Sequence, residues 1–119
     1  MRYIYLVLIL FSSGSLLGQP VSLILSPKAT AGETRAAAVL KSYLSKITRQ
    51  PITVTRDPKS EPVPPAIFIG NSVAAQMQGF AIPEKMEEDA IFLHGKGGMG
   101  ALGGGGELGA EYAAYSLLE

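Results

Sequence analysis

Between residues 21 and 55 the spacing of the apolar residues changes twice, and that change restricts the chain to a start of strand, helix, strand. Val21-Ser22-Leu23-Ile24-Leu25 alternates and then turns wholly apolar, as a strand entering a sheet does. Pro27 ends it. From Ala31 the period lengthens, and Ala36, Leu40, Tyr43, Leu44 and Ile47 fall at i, i+4, i+7, i+8 and i+11, one stripe of a helix. Thr30 is the expected N-cap, with Glu33 three residues later completing a capping box. Pro51 is expected to close the helix, and the β-branched run Ile52-Thr53-Val54-Thr55 is a second strand.

The rest of the chain extends this unit. Four prolines between Asp57 and Pro65 predict an irregular connection. Ala66-Ile67-Phe68-Ile69 is apolar throughout, which fits a strand covered on both faces or at the sheet centre. Gly70-Asn71-Ser72 leads into a short helix reaching about Gln78. Asp89 to Leu93 is a further strand, Met99, Ala101 and Leu102 form at most a weak one, and a helix runs from about Glu107 with Leu108, Tyr112 and Tyr115 on one stripe. The order predicts an α/β two-layer sandwich, a mixed sheet with helices packed on one face.

Ahead of this domain, Met1 and Arg2 precede the unbroken apolar run Ile4 to Phe11, followed by Ser12, Ser13, Gly14 and Ser15. That order of charge, apolar core and small polar residues predicts a signal peptide over 1–19, cleaved after Gly18 or Gln19. Its apolar core falls short of the roughly 20 residues of a membrane span. The expected mature domain is 20–119, bacterial, and periplasmic or extracellular. The chain has no cysteine, which excludes disulfides, thiolate metal sites and a cysteine nucleophile. Removing Arg2 from ten basic residues leaves nine against ten acids. Such a balance offers no field for nucleic acid or an anionic membrane.

No complete catalytic, cofactor or metal site is expected. Nine of the fifteen residues from Gly95 to Gly109 are glycine, giving GxGxxG in three registers, beginning at Gly95, Gly98 and Gly104. Multiple registers are what a glycine-dense string produces, and no second strand with an acidic ribose contact follows the last of them. The tract is therefore expected to be a flexible or hairpin-forming loop. His94 is the sole histidine, and the adjacent Glu87, Glu88 and Asp89 form the densest acidic group. Neither shows a nucleophile, base and orienting-group pattern or a metal-ligand spacing.

Three phrases carry a resemblance: Tyr43-Leu44-Ser45-Lys46-Ile47-Thr48-Arg49, Ile67-Phe68-Ile69-Gly70, and Leu108-Gly109-Ala110-Glu111-Tyr112-Ala113-Ala114-Tyr115-Ser116-Leu117-Leu118-Glu119. Together they resemble the N-terminal α/β domain of alpha-glucuronidases, related to the domain ahead of the barrel in beta-hexosaminidases and ahead of uncharacterised bacterial barrel domains. Arg49 replaces the usual glycine after the first helix, and Leu108 the usual arginine before Gly109. The resemblance covers nearly all of the expected mature chain. It implies a non-catalytic accessory domain of an exported glycoside-hydrolase-like protein in polysaccharide degradation, with the chemistry in a barrel that in the family follows the phrase ending here at Glu119. On this reading the chain is a truncated product and not an enzyme by itself. Leu40, Tyr43, Leu44, Ile47, Tyr112 and Tyr115 are then the expected barrel-packing face, partly uncovered and prone to self-association. A stand-alone secreted carbohydrate-binding module is the alternative, and carbohydrate the ligand it would take.

Overall fold

The computed structural model describes residues 21–56, 62–83, 85–88 and 90–118. The expected signal peptide and Asp89 lie outside these residues. Eight elements follow one another: β1 (Val21–Leu25), α1 (Ala31–Thr48), β2 (Ile52–Arg56), β3 (Ala66–Ile69), α2 (Val73–Met77), β4 (Ile91–Lys96), β5 (Met99–Gly104) and α3 (Gly109–Leu118). The five strands form one mixed sheet in the order β2-β1-β3-β5-β4. Four run parallel, and β4 pairs antiparallel with β5 at the edge. The architecture is the expected α/β two-layer sandwich on a mixed sheet, with the long helices α1 and α3 forming the helical layer on one face; the short α2 departs from the expectation and packs on the other.

Strand alternation divides the core in two. Val21, Leu23 and Leu25 of β1, Ile52 of β2, Ile67 and Ile69 of β3 and Leu102 of β5 point to one face, where Ala36, Ala37, Leu40 and Leu44 of α1 and Ala110, Ala113, Ala114 and Leu117 of α3 cover them. Ile24, Ala66, Phe68, Met99 and Ala101 point the other way, beneath Ala74 and Ala75 of the short α2 and the side chains of Phe80 and Ile82. Phe68 and Phe80 meet there at 5.5 Å between ring centroids. Each fully buried aliphatic or aromatic side chain contributes about 1.5–3 kcal/mol, so both faces carry substantial stability.

The first helix begins as its sequence dictates. Thr30 Oγ1 accepts from Glu33 N at 3.0 Å, and Glu33 Oε1 accepts in return from Thr30 N at 2.9 Å. Two otherwise unpaired donors are thereby satisfied. Thr30→Ala is expected to cost about 1 kcal/mol, measured as a shift of the urea midpoint at constant slope. The helix ends at Thr48, before Pro51, because Arg49 turns into the left-handed region (φ 57°) and donates its N–H to Ser45 O. An arginine thus adopts the conformation that a glycine takes most readily.

Strand β5 is more than the weak strand its glycines suggest. It lies between β3 and β4, and all its residues from Met99 to Gly103 are buried. Gly97 and Gly98, both at positive φ, make the two-residue turn from β4. At the end of β5, Gly104 abuts Gly109 so closely that a β-carbon on Gly104 would overlap the Gly109 and Ala110 backbone. The glycine tract is a hairpin and a packing joint.

Helices α1 and α3 start side by side. Arg35 Nε donates to Glu111 Oε1 at 2.8 Å and Arg35 Nη2 to Glu107 O at 2.9 Å. The pair is partly exposed, so its worth is small, but it ties the early turns of the two helices together. No helix among the described residues is long and apolar enough to cross a membrane.

Candidate functional site

In a parallel α/β sheet a crevice opens at the carboxyl ends of two strands whose following segments leave towards opposite faces. Here those strands are β1 and β3. The segment after β1 leads to α1 on one face, whereas the segment after β3 leads to α2 on the other. Their divergence leaves a cleft of about 270 Å³. Ser26, Lys28, Thr30 and Glu33 line one side, Gly70 and Asn71 another, and Ile82, Pro83, Gly103 and Gly104 close it.

Local hydrogen bonds hold the polar walls. Ser26 Oγ accepts from Lys28 N at 3.1 Å, and Ser26 O accepts from Ala29 N at 3.0 Å, which folds the chain into the Thr30 cap. Across the cleft Ser72 Oγ accepts from Ala75 N at 3.1 Å, and Gln76 Nε2 donates to Asn71 Oδ1 at 3.1 Å. The cap occupies Glu33 Oε1, and Glu33 Oε2 lies beside Gly70, where a β-carbon would collide with it. Among the described residues the Lys28 ammonium has no carboxylate partner. One cation and one anion therefore face the same small space.

That arrangement can bind, but it does not supply a nucleophile activated by a base. His94 belongs to β4 and does not line the cleft. Its ring is exposed and stands edge-on to Phe80 at 5.5 Å and to Phe92 at 6.4 Å between centroids. β4 continues through it to Lys96, so His94 is a mid-strand residue and not one that follows a strand. Glu87 and Glu88 sit in the preceding loop, where the Glu87 carbonyl accepts from Ala90 N. Among the described residues no group of three or more His, Asp or Glu side chains stands close enough to hold a metal ion.

The six residues expected to form a packing face separate into two sets. Leu40 and Leu44 are fully buried against the chain's own sheet. Tyr43, Ile47, Tyr112 and Tyr115 are exposed. At 100° per residue the buried arc of α1 runs from Gly32 through Ala36, Leu40 and Leu44 to Ala37; Tyr43 and Ile47 fall within that arc but in the later turns of the helix, where they are exposed. On α3 the division is sharper. Ala110, Ala113, Ala114 and Leu117 point inward, and Leu108, Tyr112 and Tyr115 form a stripe on the opposite side, each more than 40% exposed.

The cleft residues Lys28, Glu33 and Asn71 were not among the expected functional residues. Their signal in the sequence is modest: two apolar strands each followed at once by small and polar residues, Ser26-Pro27-Lys28 and Gly70-Asn71-Ser72. Comparison with known proteins finds no matching family model, no matching curated protein and no matching solved structure.

Proposed function

We propose that the chain is a non-catalytic accessory domain of an exported glycoside-hydrolase-like protein, and that it works by seating the outer face of α3 against a partner domain. The observation that carries this reading is the two-sided apolarity of α3. A helix that is apolar on its inner face and again on the opposite face is suited to burial on both sides. Leu108, Tyr112 and Tyr115 keep 42–44% of their surface exposed. Tyrosine suits such a surface because its ring supplies apolar area and its hydroxyl tolerates water before docking. The alpha-glucuronidase-like phrase supports the same reading, since its two tyrosines are the ones that face outward. The barrel of that family is the partner we assign to the face.

Light scattering on the chain purified after export tests the proposal. Without its partner the wild type is expected to self-associate with rising concentration. Tyr112→Ser combined with Tyr115→Ser is expected to remain monomeric with an unchanged circular dichroism spectrum. A wild type that stays monomeric at every concentration would count against the docking face. Hydrolysis of xylan fragments by the chain alone would overturn the non-catalytic assignment.

A further inference from the structure

We propose that the cleft between β1 and β3 is a binding site for a single sugar ring. The inference does not rest on the docking face, which lies on the outer side of α3. It rests on the chemistry that Lys28, Glu33, Thr30 and Asn71 present to one space of about 270 Å³. A ligand that is purely anionic gains Lys28 but meets the Glu33 carboxylate, and a purely cationic ligand meets the reverse. Hydroxyl groups both donate and accept, so one ring bearing several of them satisfies an ammonium and a carboxylate together. Ile82 and Pro83 supply an apolar wall for the ring's C–H edges, and Gly103 and Gly104 keep the strand ends low. The strand ends and the Thr30–Glu33 cap of α1 set part of the wall in advance, which reduces the ordering needed when the ligand enters.

The experiment is an amide-shift titration by nuclear magnetic resonance on isotope-labelled protein purified after export. The probes are methyl β-xyloside and methyl β-glucoside, with glycerol and inorganic phosphate as separate arms. At least one glycoside is expected to give saturable shifts confined to residues 26–33, 70–71 and 103–104. Glu33→Gln preserves the capping box, because glutamine serves at that position, and is expected to weaken binding about tenfold through loss of a hydrogen bond to a charged group. Lys28→Ala is expected to weaken it by a similar factor. Four results would overturn the proposal: no saturation by either glycoside, shifts centred on Tyr112 and Tyr115, equal saturation by glycerol, or a response to phosphate alone. Since Tyr112→Ser with Tyr115→Ser leaves the cleft intact, that variant should bind the glycoside as the wild type does. The two proposals therefore fail separately.

Discussion

Replacing Gly104 with alanine is expected to destabilise the domain by about 3 kcal/mol, the upper end for an overpacked core. For a domain near 100 residues this lowers the melting midpoint by about 15 °C. The sign is instructive. Gly104 closes β5, and alanine in a strand would ordinarily stabilise by about 0.5–1 kcal/mol because the unfolded chain loses freedom. Contact reverses that gain. The added carbon would overlap the backbone of Gly109 and Ala110 at the start of α3, and backbone cannot swing aside as a side-chain tip can. Relief would require α3 to lift away, weakening the contacts of Ala113, Ala114 and Leu117 with the sheet face. Gly97→Ala is the control. Nothing lies within 4 Å of its β-carbon position, but φ is +58°. It is expected to cost about 1–2 kcal/mol from backbone strain alone. Thermal unfolding of both variants decides the matter: a Gly104→Ala midpoint equal to or above that of Gly97→Ala would show that the joint between β5 and α3 is loose.

This joint also marks the limit of what the sequence makes legible. Short-range rules work well for this chain. Thr30 and Glu33 announce the start of α1, and Ala66 to Ile69 announces a central strand, because caps and apolar runs depend on residues a few positions apart. β5 is harder. Its glycines lack the side chains from which a strand pattern is read, and their packing partners at Gly109 and Ile82 come from other segments. The cleft is only faintly legible for a related reason. Lys28 and Asn71 become neighbours only because α1 and α2 take opposite faces of the sheet, and helical periodicity states which side of a helix is buried without stating which face of the sheet it covers.

The same limit shows within one helix, where Leu44→Ala and Ile47→Ala are expected to behave very differently although the two positions share an apolar stripe. Leu44 is completely buried, whereas Ile47 in the last turn is 62% exposed. Truncating Leu44 removes its burial and leaves a cavity beneath α1, for an expected loss of about 2–5 kcal/mol. Ile47→Ala should change stability by no more than about 0.5 kcal/mol, since water already contacts most of the side chain. Urea unfolding at equal slope separates the two. If Ile47→Ala costs as much as Leu44→Ala, Ile47 is covered in solution, and the first candidate for that cover is a second copy of the chain. Repeating the measurement over a range of protein concentrations then identifies it, because stability drawn from association falls on dilution and stability drawn from the domain's own core does not.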